Sequence, residues 1–157
     1  MGSFGARLSG LVLALAPAMA GAACAPEAVE LRGPAGRARF HVEVADAPAE
    51  QAKGLMFREK MATSAGMLFV FPAPKHASFW MKNTLIPLDM IFADAAGRVT
   101  RVHSMAVPGD ETPIDGGEGV AMVLEINCGL AARLGIAPGS ELRHSSVDQS
   151  LAAWPCD

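Results

Sequence analysis

The densest run of apolar and aromatic residues beyond the N-terminal region spans Gly66–Phe92 and limits what this chain can fold into. Pro72-Ala73-Pro74 divides the run, so its pieces have the length of strands rather than of helices. We predict three successive strands, at Gly66–Phe71, His76–Asn83 and Leu88–Ala93. One polar cluster interrupts the run, and it consists of Lys82, Asn83, Thr84 and Asp89.

The rest of the chain also consists of short strand patterns, with no regular alternation of strands and helices. Arg37–Ala45 alternates apolar and polar residues, as a half-buried strand does. Further strands are predicted at Ala28–Arg32, Arg98–Val107, Val120–Asn127 and Glu141–His144, and short helices at Pro48–Met56 and Leu130–Leu134. The pattern predicts a mainly β fold, an antiparallel two-sheet β-sandwich or barrel-like sheet with two short helices. An α+β layout with the helices on one face is the alternative.

The composition fits one folded domain and argues against two classes of protein. The chain has 157 residues, of which 51% are hydrophobic and 18% charged, and this is not the composition of a disordered protein. A formal charge of −3 and the lack of a Lys/Arg-rich run predict no nucleic-acid partner. We place a single globular domain at residues 28–144. Residues 145–157 form a C-terminal tail, expected to be loose unless Cys156 ties it down.

Residues 1–20 have the pattern of a secretory signal peptide. Arg7 precedes the apolar segment Leu8–Ala20, which is too short to span a bilayer and ends in an A-x-A cleavage pattern. Cleavage is predicted after Ala20, or alternatively after residue 23. Lipidation of Cys24 is a further alternative, although Gly21 is a poor match to a lipobox. No later apolar run reaches 18 residues, so we predict an exported protein, periplasmic or secreted, with no membrane span in the mature chain.

Three cysteines remain after a cut at Ala20: Cys24, Cys128 and Cys156. An exported protein with three cysteines is expected to form one disulfide and to keep one thiol. Cys24–Cys156 and Cys128–Cys156 are both plausible pairs, and the sequence does not choose between them. No cysteine has a C-x-x-C spacing or a nearby histidine, so no redox role is predicted.

The polar cluster in the central run is the best candidate for a binding site. If residues 84–87 form a hairpin turn, Lys82 lies opposite Asp89, and Trp80 pairs with Ile91 on the same face. An aromatic surface beside fixed polar groups suits sugars and other amphipathic ligands. A simple ion pair between Lys82 and Asp89 at a sheet edge is the alternative. The predicted ligand-binding residues are Trp80, Lys82 and Asp89, with Asn83, Arg58 and Glu125 as additional candidates.

Two other kinds of site are compatible with the sequence. Met and His side chains are suitable ligands for Cu(I). The spacing of Met81, His103 and Met105 partly matches the ligand spacing of periplasmic Cu(I)-binding chaperones. An exported hydrolase could instead use Asp89 with Lys82 or Glu125 as its acid and base. The chain contains none of the motifs G-x-S-x-G, H-E-x-x-H, G-x-x-x-x-G-K-[ST] or G-x-G-x-x-G, and we predict no cofactor.

Four segments together resemble the domain-of-unknown-function family 192. They are GLMFR at 54–58, GMLFVF at 66–71, FWMKNTLIPLDMIF at 79–92 and VLEINCGLAARLGIAPGSEL at 123–142. The resemblance covers the chain from Val29 to His144. It implies a mainly β fold of two packed antiparallel sheets, and many members carry signal peptides. Because the family has no established activity, the resemblance implies no reaction.

These observations lead to one main hypothesis and two alternatives. The main hypothesis is an exported, non-catalytic protein that binds a small-molecule or glycan ligand over the face of Trp80, Lys82 and Asp89. A hydrolase using Asp89 and a Cu(I) carrier using Met81, His103 and Met105 are the alternatives.

Overall fold

Seven strands of one mixed sheet dominate the computed structural model, which describes residues 1–2 and 24–156. The elements are β1 (Ala28–Gly33), β2 (Gly36–Ala45), α1 (Pro48–Lys53), β3 (Ala65–Phe79), β4 (Leu88–Ala93), β5 (Val99–Ala106), β6 (Ile114–Asn127), α2 (Leu130–Arg133) and β7 (Glu141–Arg143). The prediction of a mainly β protein with two short helices is confirmed. The predicted signal peptide lies almost wholly outside the described residues.

The strand order is β5-β4-β6-β3-β2-β1-β7, and the sheet is strongly curled. Backbone hydrogen bonds connect its two edges: Val99 N–H donates to Ser140 O (2.8 Å) and Leu142 N–H donates to Gly97 O (2.7 Å). These bonds join the start of β5 to β7 locally and form no ladder between the two edges, so the seven strands form a half-barrel, and the predicted sandwich of two sheets is not confirmed.

A purely antiparallel arrangement is also not confirmed, because β2 and β3 run parallel. A parallel pair cannot be joined by a tight turn and needs a crossover connection. Residues 46–64, which include α1, provide that connection and place α1 next to β2 and β3.

β3 continues through Pro72-Ala73-Pro74, where the sequence predicted that a strand would end. Its register against β6 shifts at several points between Val70 and Ser78. Bulges of this kind let a strand contain prolines, which have no N–H to donate to a ladder. The two strands predicted at Gly66–Phe71 and His76–Asn83 are therefore one long strand that ends at Phe79.

The predicted hairpin between β3 and β4 is wrong, because β6 lies between these two strands and pairs with both. Trp80 and Lys82 lie beyond the end of β3, in the segment that leads to β4. They consequently face neither Ile91 nor Asp89 across a ladder. β6 begins at Ile114, ahead of the strand predicted at Val120–Asn127, and its 14 residues give it the length to pair on both sides.

The two faces of the sheet carry separate apolar clusters, because neighbouring residues of a strand point to opposite faces. Leu68, Leu124 and Ile126 belong to one cluster. Phe69 and Val123 belong to the other, which also receives side chains from the connecting segments after α1 and after β3. The second face therefore combines a sheet floor with irregular walls, and the candidate site opens there.

The C-terminal residues are fixed against the body of the protein. Cys24 and Cys156 form a disulfide with a Cα–Cα distance of 5.4 Å, which resolves the pairing that the sequence left open. Trp154 is buried, with the guanidinium of Arg32 4.7 Å and that of Arg143 4.5 Å from its ring centroid. Within the described residues, no helix has the length and apolar character needed to cross a membrane.

Candidate functional site

A cleft of about 280 Å³ opens on the sheet face next to α1. β3 and β6 form its floor, while α1, the residues after α1 and the segment after β3 form its walls. Its volume lies slightly below the range of about 300–1,000 Å³ that is typical of ligand pockets. Half of its fourteen lining residues are apolar or aromatic, and the polar lining residues are Gln51, Lys53, Lys75, Ser78, Thr84 and Glu125.

Glu125 provides a buried carboxyl at the floor of this cleft. In the sheet it lies opposite Met67 of β3 and Met90 of β4, so its neighbours there are apolar. Glu125 is only 4% exposed, and no described residue hydrogen-bonds or ion-pairs with its carboxyl. Burial raises the pKa of Glu125 from 4.5 to about 8. The carboxyl is therefore mostly protonated at neutral pH, so it can donate an O–H as well as accept a hydrogen bond.

Gln51 fixes the helical wall of the cleft to the sheet. Its Nε2 donates to the carbonyl oxygens of Ala45 on β2 (3.1 Å) and Val70 on β3 (2.8 Å). These two bonds hold α1 across the parallel strand pair. The wall is consequently held by the sheet and not by the short helix alone, whose six residues would be marginal in isolation.

Trp80 forms the opposite, aromatic wall and is 48% exposed. Phe79 beside it packs edge-to-face on Phe69, with 5.1 Å between the ring centroids. The Nζ of Lys82 lies 5.0 Å from the Trp80 ring centroid and 3.6 Å from a carboxylate oxygen of Glu111. Trp80 therefore presents a ring surface to a ligand, and Lys82 places a positive charge at the rim.

Asn83 connects the two irregular walls of the cleft. Its carbonyl oxygen accepts a hydrogen bond from Phe57 N–H (2.8 Å). Asn83 has a φ of 54°, a left-handed conformation that Asn tolerates better than most residues. Phe57 adopts a φ of 65° and leaves its ring exposed, which is rare for a bulky residue. Asn83 therefore supports the wall of the cleft through a backbone hydrogen bond.

Asp89 is fully buried but belongs to the opposite face of the sheet. Its carboxylate accepts hydrogen bonds from Met105 N–H on β5 and from Ala131 N–H on α2, both at 2.9 Å. In the β4–β6 ladder Asp89 pairs with Ile126, while Glu125 pairs with Met90. Because neighbouring residues alternate faces, the carboxyls of Asp89 and Glu125 point away from each other. The structure does not bring together this candidate acid–base pair.

Arg58 lies outside the cleft, in a separate surface cavity lined also by His41, Glu43 and Lys60. Its two terminal nitrogens each approach a different carboxylate oxygen of Glu43 at 2.5 Å. The Arg58 guanidinium holds the pKa of Glu43 below its usual value. Both side chains remain substantially exposed, so we attribute to this bidentate pair a local role in holding the loop after α1 against β2.

The three residues considered for Cu(I) occupy different environments. Met81 is fully buried in the core, whereas Met105 is 66% exposed, so the two sulfurs do not share an accessible position. His103 lies between these extremes on β5, opposite Met90. Among the described residues no cluster of three His, Cys, Asp or Glu side chains is arranged to hold a metal ion.

The contacts of Asp89 lead to a first prediction. Asp89→Asn should lower the free energy of unfolding by about 1–3 kcal/mol, because an amide replaces one of the two acceptor oxygens with a donor that faces a backbone N–H. Urea denaturation followed by circular dichroism measures the loss. Glu111→Gln makes the same chemical change at an exposed ion pair with Lys82 and should cost under about 1 kcal/mol. Equal losses in the two variants would contradict the structural role given to Asp89.

Comparison with known proteins agrees with the family resemblance found in the sequence. The family model of DUF192, described as an uncharacterised ACR, matches residues 30–144. The chain belongs to the DUF192 family. The fold and cleft described above are therefore those of a DUF192 member. No curated protein matches the chain.

Two solved structures are similar to this DUF192 chain. A protein of unknown function from Novosphingobium aromaticivorans is 50% identical, with a TM-score of 0.72 over 73% of this chain and 82% of that one. A protein from Sinorhizobium meliloti, described as a candidate transcription regulator, is 41% identical, with a TM-score of 0.74 over 80% of this chain and 98% of that one.

Of the predicted site residues, Trp80 and Glu125 line the cleft of this DUF192 member, Lys82 lies at its rim, and Asn83 supports its wall. Sequence reasoning missed Lys53 and Lys75, which carry the positive charges of the lining. Neither lysine has a distinguishing local pattern. The signal that does stand out is the carboxylate of Glu125 inside the apolar strand VAMVLEIN.

Proposed function

We propose that this protein is an exported binding protein whose small amphipathic ligand occupies the cleft between Glu125 and Trp80. The observation that carries the proposal is the state of Glu125. A carboxyl that is almost wholly buried and that no described protein group hydrogen-bonds costs folding free energy, because only the cleft is open to its oxygens. A ligand that hydrogen-bonds to Glu125 would supply the missing partner.

The surroundings of Glu125 support a ligand with an apolar part. Phe69 and Phe71 on the floor and Trp80 on the wall offer ring surfaces to the cleft. Aromatic surfaces combined with a few placed polar groups are typical of small-molecule sites, and Trp in particular suits flat or amphipathic ligands such as sugars. The carboxyl of Glu125 would then orient the polar end of the ligand.

Two features support export. Residues 1–20 have the charge, apolar segment and cleavage pattern of a signal peptide, and either proposed cut leaves Cys24 in the mature chain. The disulfide between Cys24 and Cys156 is of a kind that persists in oxidising compartments. A thiol held in that disulfide cannot also carry a lipid, so disulfide formation and lipid anchoring through Cys24 exclude each other.

A ligand screen that uses Trp80 as its reporter tests the binding proposal. The chain contains two tryptophans, and Trp154 is buried away from the cleft lining, so two indole N–H signals in an NMR spectrum separate the two sites. Trp80→Phe assigns the cleft signal. The panel contains neutral sugars, cell-wall fragments, small organic acids, amino acids and metal ions. A ligand present at about 100 Kd should also stabilise the protein by about 2.7 kcal/mol in thermal unfolding.

We expect a binder to shift the Trp80 signal and leave the Trp154 signal in place. Trp80→Ala should weaken that binder about tenfold or more. Lys60→Gln, which alters an exposed lysine of the separate Arg58 cavity, should bind like wild type. A binder that shifts only Trp154, or that binds Trp80→Ala as tightly as wild type, would place the site elsewhere and overturn the proposal.

A hydrolase is the second candidate, with Glu125 instead of Asp89 as its proton donor. The specific observation is the pKa of Glu125, raised by burial to about 8, because general acids at neutral pH need a pKa in this range. Many hydrolases of sugars require a second carboxyl, and the described lining residues contribute Glu125 alone. Release of nitrophenol from chromogenic glycosides and esters by wild type, and its loss in Glu125→Gln, would favour this candidate.

A further inference from the structure

The lining of the cleft has an uneven charge distribution that narrows the class of ligand. Its charged residues are Lys53 at the end of α1, Lys75 on β3 and Glu125 on the floor. The Nζ of Lys75 lies 3.9 Å from the ring centroid of Phe71, and in the described part of the chain no carboxylate pairs with it. With Glu125 protonated, the lining carries positive charge without a compensating negative group.

We propose that the ligand is a small organic carboxylate with an apolar body, whose anionic end meets Lys75 and whose second, uncharged polar group meets Glu125. This inference rests on the function proposed above and names the chemical class of its ligand. An anion is favoured because a ligand carboxylate gains a charge-assisted hydrogen bond from an ammonium group, and both lysines are exposed and accessible to it. The aromatic residues between the two ends would contact the apolar body.

The ligand needs two separate polar groups because the two ends of the site are separate. In the described part of the chain no ion pair or hydrogen bond joins the ammonium group of either lysine to the carboxyl of Glu125, so that carboxyl stands apart from both lysines. Met67 and Met90, which flank Glu125 in the sheet, carry no charge. We assign the anionic group of the ligand to Lys75 and a second polar group, a hydroxyl, carbonyl or amide, to the protonated Glu125 on the floor.

A matched series on one phenyl scaffold tests the ligand class. The probes are 4-hydroxyphenylacetate, its neutral carboxamide, the corresponding amine tyramine, and phenylacetate without the hydroxyl. Titrations monitored by the Trp80 indole signal give a dissociation constant for each. We expect 4-hydroxyphenylacetate to bind best, the carboxamide about tenfold more weakly, and tyramine most weakly.

Two variants locate the two ends of the ligand. Lys75→Gln should remove the preference for the acid over the carboxamide, whereas Lys60→Gln should keep it. Glu125→Met, apolar and of similar length, should remove the preference for 4-hydroxyphenylacetate over phenylacetate. Binding of the acid should also weaken above about pH 8, where Glu125 ionises and repels the ligand carboxylate. The other charged groups of the lining are Lys53 and Lys75. This loss of binding should be absent in Glu125→Met, which has no ionisable group at that position.

The outcomes separate this inference from the function on which it rests. If the carboxamide or tyramine binds as tightly as the acid, the ligand is not an anion, but the cleft remains a binding site. If none of the four probes binds while another compound from the screen shifts the Trp80 signal, the proposed ligand class is wrong, but the cleft again remains a binding site. If no compound of either set shifts that signal, the proposed function fails as well.

Discussion

Glu125→Gln should make the protein more stable than wild type at pH 8 and similarly stable at pH 5. In the unfolded chain the carboxyl has a pKa of 4.5, whereas burial raises its pKa in the folded protein to about 8. Between these values the folded state holds a proton that the unfolded state releases. The contribution of Glu125 to stability is therefore fully present below pH 4.5 and is lost as pH rises toward 8.

The expected effect is large because the pKa values are far apart. At its steepest, the free energy of unfolding falls by about 1.4 kcal/mol for each pH unit, so the loss between pH 5 and 8 is on the order of 4 kcal/mol. Glutamine has nearly the same shape and does not titrate. The variant should lack this slope, and urea denaturation at pH 5, 6.5 and 8 measures the difference.

Folding also shifts the pKa values of His144 and His76, so the comparison uses the difference between variant and wild type. Burial lowers the pKa of His144, whose Nε2 lies 2.8 Å from Pro26 O and whose Nδ1 accepts from Ser146 N–H. Its contribution has the opposite sign, because stability is lost as pH falls below 6.5. The exposed His76 has its pKa raised by Glu118. Both contributions are present in wild type and variant, and they cancel in the difference.

Glu59→Gln is the matched control, since it removes an exposed carboxyl and should leave the pH slope of wild type unchanged. Parallel stability curves for wild type and Glu125→Gln would show that Glu125 ionises normally in the folded protein. That result would also remove the main support for a partnerless carboxyl in the cleft.

Glu125 and Asp89 illustrate how far a sequence can predict a site. Each is a single carboxylate within an apolar strand, and their local patterns are alike. The structure separates them: Asp89 accepts two backbone N–H groups, while Glu125 meets methionines and a cleft. Those backbone donors come from Met105 and Ala131, at positions that no local pattern connects to Asp89. Sequence reasoning could nominate both carboxylates but could not assign their roles.

The fold shows a similar division between local and long-range information. Strand-length apolar segments and turn residues predicted most of the strands and both helices, since these depend on local patterns. The insertion of β6 between β3 and β4 depends on pairing between distant segments, and the sequence favoured the simpler hairpin. Because β6 separates the two strands, Trp80 lies in the wall of the cleft and Lys82 at its rim, and neither faces Asp89.

Removing the disulfide should have the second large effect. The double variant Cys24→Ser/Cys156→Ser should lower the free energy of unfolding by about 2–5 kcal/mol. The cross-link joins residues 132 positions apart, so it removes much of the freedom of the unfolded chain. It also holds Trp154 against Arg32 and Arg143, contacts that a freed C-terminal segment would lose more readily. Thermal and urea unfolding with and without a reductant measure the loss.

Cys128→Ser is the matched control because Cys128 is the free cysteine of the described chain. It should change stability little, and a reductant should destabilise this variant as much as it destabilises wild type. Thiol titration of denatured protein should find one free thiol per wild-type chain and none in Cys128→Ser. If Cys128→Ser instead shows two free thiols, the chain pairs its cysteines differently. A double variant as stable as wild type would show that the cross-link contributes no stability, whichever cysteines form it. Because the disulfide and a lipid compete for Cys24, the same titration on protein isolated from its native compartment distinguishes a soluble exported form from a lipid-anchored one.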